Sequence, residues 1–324
     1  MTRIKFGEQT FETENNETVL NTLLRNNMQV PYGCKAGVCQ CCLMRSLDNA
    51  PPEKSQIGLK DTQKNQDYFL ACLCEPENDM SVSLPNTEIS WLDAEVIEKK
   101  NLSTNVIFLK LKSKEPLAFF AGQFVNLRRD DGVIRSYSIA NIHNAEHELE
   151  FHIRILPNGQ FSRWVADELT VGMTLSFSHA QGDCYYVEGK TEQSLLLIGT
   201  GTGLAPLYGI IRDALSTHKH QGEIHLFHGS HDASGLYLED KLTTLTQTYP
   251  NFHYTPCLSG EVNDEKYTQG RANDIALHKF PKLDGWRVYL CGRPEMVLHS
   301  KRTAYLQGAS LKEIYVDAHL LIKI

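Results

Sequence analysis

Six of the chain's nine cysteines fall between Cys34 and Cys74, and their spacing constrains the fold of this region more than any other feature. Three stand as Cys34-x4-Cys39-x2-Cys42, and a fourth, Cys72, lies far downstream. This is the ligand spacing of a plant-type [2Fe–2S] cluster. Four thiolates must converge on two irons, so the segment has to curl around the cluster with backbone N–H groups aimed at its sulfurs. Gly33 and Gly37 permit the dihedrals that a tight wrap needs. A zinc site usually pairs two C-x2-C units, and only Cys39-x2-Cys42 has that form. Cys41 and Cys74 stand outside the spacing and read as small, partly buried thiols. Cys74 is the alternative to Cys72 as fourth ligand.

The rest of the chain must be divided further. At 324 residues it is too long for one ordinary core and suits two or three domains. Its 41% apolar and 22% charged residues are those of a soluble globular protein. The net charge of -7 leaves no basic stripe to neutralise phosphates, so a nucleic-acid partner is not expected. No apolar run reaches the length of a membrane span, so no membrane insertion is expected. Met1–Gly7 lacks the apolar core of a signal peptide. The expectation is a cytoplasmic monomer, and in such a chain clustered cysteines argue for metal rather than disulfides.

Three regions differ in pattern. Residues 1–88 open with alternating runs at Arg3–Phe6 and Gln9–Glu12, a hairpin around Gly7. A helical period follows over Glu17–Leu24, then the cysteines, then a strand at Met80–Pro85. This is a small α+β unit. Residues 89–187 read as all-β, with strands at Ala94–Ile97, Val106–Leu111, Gln123–Leu127, Ser136–Ala140, Leu149–Ile155 and Thr174–Phe177. Short turns between them suggest a closed antiparallel barrel. Residues 188–324 alternate strand and helix: strands at Ser194–Ile198, Glu223–His228, Asn251–Cys257, Arg287–Cys291 and Glu313–Val316, helices at Leu204–Thr217, Gly235–Thr246, Arg271–Leu277 and Pro294–Leu306. That alternation implies an α/β domain with a parallel sheet.

Two segments carry further chemistry. In Arg135-Ser136-Tyr137-Ser138, alternation puts Arg135 and Tyr137 on one face. An arginine can hold a diphosphate bidentately, an aromatic can stack on a flavin ring, and a hydroxyl can bond the ring edge. Alone, the string equally fits an exposed strand. In Leu195–Pro206 a buried strand runs into Gly199-Thr200-Gly201-Thr202-Gly203 and then a helix start, with Pro206 in its first turn. Glycines let the backbone approach a pyrophosphate, and the helix N-terminus favours its charge. After the second strand, His228–Asp232 offers no Arg or Lys for a 2′-phosphate, which favours NADH over NADPH, with His228 and His231 as the alternative that would serve NADPH. His152, a lone histidine, reads as structural. Cys184 and Cys257 read as core thiols.

On these residues the chain resembles known families. The cysteine region is similar to a plant-type ferredoxin domain, with Gln40 where that family commonly has Gly. Arg135–Ser138 resembles the R-x-Y-[ST] signature of the ferredoxin–NADP reductase superfamily, which implies FAD bound by Arg135, Tyr137 and Ser138. Ala121-Gly122-Gln123-Phe124 resembles its P-G-Q-[FY] strand, with Ala121 for Pro. Gly159-Gln160-Phe161-Ser162 resembles its G-x-x-[ST] turn, which implies phosphate donors from Gly159, Gln160 and Ser162. Ala180–Tyr185 departs from its G-P-x-G form and keeps only Gly182. Gly199–Pro206 resembles its nicotinamide loop, and Cys291-Gly292-Arg293-Pro294 resembles its C-G-x-P motif, which implies Cys291 and Gly292 beside the nicotinamide. Asp317-Ala318-His319 resembles a D-[AP]-F ending, with His319 for the aromatic.

The order of regions matches the reductase components of multicomponent oxygenases of the benzoate dioxygenase and soluble methane monooxygenase type. The resemblance implies electron flow from NADH to FAD, to [2Fe–2S], to a separate acceptor protein such as an oxygenase component. Ser138 and Cys291 are the expected catalytic residues. CDP-deoxyglucoseen reductases share this plan and are the alternative. A ferredoxin-type carrier with a degenerate tail is a third reading, which the intact Gly199–Pro206 and Cys291–Met296 segments oppose.

Overall fold

The computed structural model describes residues 2–37, 40–85 and 91–319. The chain divides into two compact units, Met1–Ile89 and Ser90–Ile324.

In the first unit, β1 (Arg3–Phe6) and β2 (Gln9–Glu12) form the expected hairpin around Gly7, whose φ is 60°. Helix α1 (Val19–Arg25) starts where the Thr18 hydroxyl accepts from Asn21 N. That is an N-cap, and it trims the expected start at Glu17. α1 buries Val19, Leu20 and Leu23. Then come β3 (Leu43–Ser46), the short helix α2 (Asp61–Lys64), β4 (Tyr68–Leu70) and β5 (Met80–Ser83). The sheet order is β2-β1-β5-β3-β4. β3 and β4 were not expected from the sequence. Each is only a few residues long and abuts cysteines, so neither shows a readable alternation.

The second unit opens with six antiparallel strands: β6 (Trp91–Ser103), β7 (Val106–Ser113), β8 (Phe124–Arg128), β9 (Ile134–Ser138), β10 (Glu148–Arg154) and β11 (Thr174–Ser178). Their order is β10-β7-β6-β11-β8-β9, and a bridge between Ile139 and Phe151 joins the two outer strands into a barrel. β6 is much longer than expected. Register shifts at Val96/Glu98 and Asn101/Ser103 mark bulges that break its alternation and bend it around the barrel. Helix α3 (Gln160–Asp167) seats Phe161 and Val165 in the barrel core beside Leu109, Val125 and Phe177.

The remaining strands are all parallel: β12 (Leu195–Thr200), β13 (Ile224–Ser230), β14 (Phe252–Leu258), β15 (Thr268–Gln269), β16 (Arg287–Gly292) and β17 (Ile314–Ala318), in the order β15-β14-β13-β12-β16-β17. The connecting helices are α4 (Leu204–Arg212), α5 (Glu239–Thr248), α6 (Ala272–Lys279) and α7 (Pro294–Leu306). α4 runs on into a π-helical turn, Asp213–Thr217, so the expected helix to Thr217 holds with a wider last turn. α5 starts at Glu239 rather than Gly235 because Leu238 adopts a left-handed φ of 59°. α7 matches its expected bounds.

One polar anchor sits inside this apolar sheet. Arg287, at the start of β16, is almost fully buried; its Nε donates to Glu313 Oε2 (2.7 Å) and its Nη1 to the Val187 carbonyl (2.9 Å). Lys190 also pairs with Glu313. Among the described residues, no helix is long and apolar enough to cross a membrane.

Candidate functional site

The cysteine loop leaves ordinary backbone space repeatedly. Lys35 (φ 53°), Gly37 (φ 74°) and Gln40 (φ 56°) are all left-handed. Ala36 N donates to Cys34 Sγ at 3.4 Å, the backbone-to-sulfur contact that a cluster wrap requires. A Cβ at Gly37 would lie 2.4 Å from Leu73 Cδ1, so the loop packs directly on the turn that carries Cys72. β3 and β4 then bring two ligand candidates together. Leu43 pairs with Leu70, Ala71 N donates to the Cys42 carbonyl (3.0 Å), and the Cys42 and Cys72 thiols are in hydrogen-bonding contact. Burial, with the neighbouring Cys72, pushes the Cys42 thiol up to about 11.

Cys74 turns elsewhere. Its thiol meets Ser55, and burial pushes it up to about 12. Cys34 and Cys41 are exposed. Cys39 lies outside the described residues. Among the described residues, the thiols of Cys34, Cys42 and Cys72 and the left-handed backbone at Lys35, Gly37 and Gln40 suit thiolate ligation of an iron–sulfur cluster.

On the barrel, Arg135 and Tyr137 occupy β9 and are half-buried. Arg135 Nη1 donates to the Ile134 carbonyl at 2.7 Å. The Tyr137 ring packs on Phe161 at 5.6 Å, and burial pushes its phenol up. Gly159 caps α3; a Cβ there would strike Ser162 Oγ at 2.3 Å. Ser162 is buried and accepts from Leu156 N (3.1 Å), so its hydroxyl braces the turn, while Gln160 is exposed.

The glycine segment and the C-G-x-P segment interlock. A Cβ at Gly203 would lie 2.2 Å from the Cys291 carbonyl oxygen, and one at Gly292 would lie 2.3 Å from Thr200 Oγ1. Thr200 Oγ1 accepts from Arg293 N at 3.4 Å. Gly201 has φ 54°, and a Cβ at Gly199 would meet Leu207 at 2.8 Å. Thr202 stays half-exposed in the turn, and Pro206 is buried in the first turn of α4. Glycine at these positions is therefore a packing requirement as well as a way to leave room for a phosphate.

The two halves of the site meet at Ser138. Its hydroxyl donates to Asp317 Oδ2 at 2.6 Å, across 179 residues of chain. Asp317 is the register partner of Cys291, and His319 N donates to the Gly292 carbonyl (2.8 Å). Burial works to raise the Asp317 carboxyl, but His319 and Ser138 outweigh it and hold it below the usual carboxylate range. Ser138, Asp317, Cys291 and Gly203 thus form one contiguous group. The Cys291 thiol is fully buried, 3.8 Å from Cys184 Sγ, and burial holds it far above the ordinary thiol range, so it is neutral.

Several residues at this place have contacts that the sequence reading did not assign to them. His228 is buried, donates from Nε2 to the Gly201 carbonyl (3.1 Å), and is pushed by burial down to about 4. Arg154 brings Nη1 to within 3.6 Å of where a Gly201 Cβ would be. Cys184 and Asp317 reach the site only through long-range packing, which no local spacing announces. His152 fits its structural reading: it is buried, 3.2 Å from the Tyr237 hydroxyl, and burial pushes it down to about 3.

A cysteine wrap, a flavin-type barrel and a nicotinamide-type parallel sheet define an NAD(P)H-dependent flavin and iron–sulfur oxidoreductase. Residues 4–77 match the 2Fe-2S iron-sulfur cluster binding domain, 93–186 the oxidoreductase FAD-binding domain and 197–302 the oxidoreductase NAD-binding domain. The phenol hydroxylase P5 protein of Acinetobacter pittii is 30% identical over 326 residues, covering 96% of this chain and 92% of its own. The aromatic O-demethylase reductase subunit of an Amycolatopsis species is 31% identical over 309 residues, 91% of each chain. Among solved structures, the Amycolatopsis reductase GcoB superposes with a TM-score of 0.69 at 29% identity, covering 98% of this chain and 99% of its own. The chain belongs to this family of ferredoxin–NAD(P) reductases with an N-terminal [2Fe–2S] domain.

Proposed function

We propose that the chain is the reductase component of a multicomponent oxygenase, taking hydride from NADH and delivering single electrons to a separate oxygenase protein. When bound, FAD supplies the conversion between a two-electron donor and a one-electron acceptor, and the [2Fe–2S] cluster supplies the exit. The observation that carries the reading is the Ser138–Asp317–Cys291–Gly203 group, which joins the flavin strand to the nicotinamide loop.

In this reading the division is 1–88 for the cluster, 89–187 for FAD and 188–324 for NADH. Arg135 would hold the FAD diphosphate, and Tyr137 and Ser138 would contact its ring. Gly159, Gln160 and Ser162 shape the phosphate turn at α3. Gly199, Thr200, Gly201, Thr202, Gly203 and Pro206 form the NADH pyrophosphate bed. Cys291 and Gly292 line the nicotinamide as a neutral, water-free wall. Cys34, Cys39, Cys42 and Cys72 ligate the cluster. The absence of Arg or Lys in His228–Asp232 supports NADH over NADPH.

One observation favours a second reading. The CDP-6-deoxy-L-threo-D-glycero-4-hexulose-3-dehydrase reductase of Yersinia pseudotuberculosis is 24% identical over 316 residues, 95% of this chain. Anaerobic titration with NADH tests the shared core: flavin and cluster absorbance should bleach together. If NADH bleaches neither, both readings fail. Turnover with an oxygenase component against turnover with a sugar dehydrase then separates them.

A further inference from the structure

Glu223, His225 and His253 form a cluster that electron transfer does not use. Glu223 and His225 are two residues apart at the start of β13, so they share a face. His253 on β14 is the register partner of His225. The two imidazoles stack with centroids 4.5 Å apart and planes 16° from parallel. Both aim Nε2 at one oxygen: Glu223 Oε2 is 2.6 Å from His253 and 3.8 Å from His225. The donor atoms of all three residues lie within 4.8 Å of one another. Phe280 backs the His225 ring at 4.6 Å and Trp286 lies 6.0 Å from it. The cluster sits at the N-terminal ends of the parallel strands, whereas the glycine loop sits at their C-terminal ends.

We propose that Glu223, His225 and His253 form a binding site for a divalent metal of the zinc class, with water in the fourth position. Two imidazole nitrogens and one carboxylate oxygen are the donor set of zinc, cobalt, nickel or copper, and a poor one for calcium or magnesium. Donors around a tetrahedral zinc lie roughly 3.3 Å apart, from bonds of about 2.0–2.1 Å. The observed 2.6 and 3.8 Å lie on either side of that value. Metal binding requires both imidazoles without their protons, so retention of the ion should weaken as pH falls. The Lys279 charge opposes a cation and limits the affinity. A bound metal ties β13 to β14 at the end of the sheet away from the nucleotide, so it stabilises the fold without altering NADH reduction.

The test uses the untagged protein carrying flavin and cluster, dialysed against micromolar zinc, with zinc and iron counted by elemental analysis. One zinc per chain with iron unchanged is expected, together with a zinc-dependent rise in the unfolding temperature that magnesium and calcium do not give. The His225→Asn/His253→Gln double variant should keep its flavin spectrum and NADH reduction. It should bind zinc at least as poorly as the roughly 10–100-fold loss seen when a supporting partner is removed. Should the double variant fold badly, Glu223→Gln, an exposed position, makes the same test. Failure to retain zinc, equal retention by the variants, or zinc gained only as iron is lost overturns the proposal.

Discussion

Gly37 in the cysteine loop and Gly203 in the nucleotide loop are both glycines with no room for a methyl group, yet they are held by different things. At Gly37 the obstructing atom is the end of the flexible Leu73 side chain; at Gly203 it is the backbone carbonyl of Cys291. The first loop owes its shape to its own backbone, with Lys35, Gly37 and Gln40 all left-handed within one short segment. The second owes its shape to a strand that enters the chain almost ninety residues later. Local wrapping can adjust; an interlock between sheet strands cannot. The lesson is that similar glycine-rich loops can differ sharply in tolerance, and the difference is set by whether the neighbour is side chain or backbone.

The largest effect is expected where the interlocked side is anchored. Glu313→Ala leaves Arg287 buried without its carboxylate and should cost about 3–5 kcal/mol. Release of flavin on heating, at a much lower temperature than in the parent, is the readout. Gly203→Ala should follow, costing roughly 3 kcal/mol through overpacking and abolishing flavin bleaching by NADH while cluster absorbance persists. Gly37→Ala should cost less, about 1–2 kcal/mol, because the strain is a left-handed alanine once Leu73 moves. If Gly37→Ala proves the worse of the two, the distinction between side-chain and backbone neighbours falls.

Acid should separate the regions as well. All the histidines lie beyond residue 142, so none belongs to the cysteine unit. Unfolded histidine takes up its proton near pH 6.5, whereas His228 resists until about 4 and His152 until about 3. In that window the unfolded chain binds more protons than the native one, so stability falls as pH falls. The slope should be about 1.4 kcal/mol per pH unit for each such imidazole. Denaturant midpoints followed by flavin fluorescence from neutral pH downward check this; a flat profile would remove the buried histidines from the account. The smallest effect is expected at Gln40→Gly, less than about 1 kcal/mol. Relief of the left-handed φ is offset by a freer unfolded chain and by loss of the Gln40 Nε2 bond to the Gly58 carbonyl.

The legibility of the sequence divides along the same line. The cysteine spacing, the glycine segment and the bounds of α7 are all local patterns, and each was readable. β3 and β4 were not, although they bring Cys42 to Cys72, because strands of three or four residues beside cysteines carry no period. The length of β6 was hidden by its bulges, and the start of α5 by a leucine in a conformation that leucine seldom takes. Asp317 was read only as part of a terminal motif. Its bond to Ser138 depends on the register of β17 beside β16, which the sequence of either segment alone does not state.

That bond also sets an order in time. A chain emerging from the ribosome presents Cys34, Cys39, Cys42 and Cys72 before Ser138 has been made. Ser138 follows, and its partner Asp317 is added 179 residues after it. Because nascent chains fold from the N-terminus as they appear, the cysteine unit can form early, whereas the junction of barrel and parallel sheet waits for β17. A chain halted before Asp317 therefore lacks the bond that ties the Ser138 strand to the sheet carrying Cys291, however complete its cysteine region is.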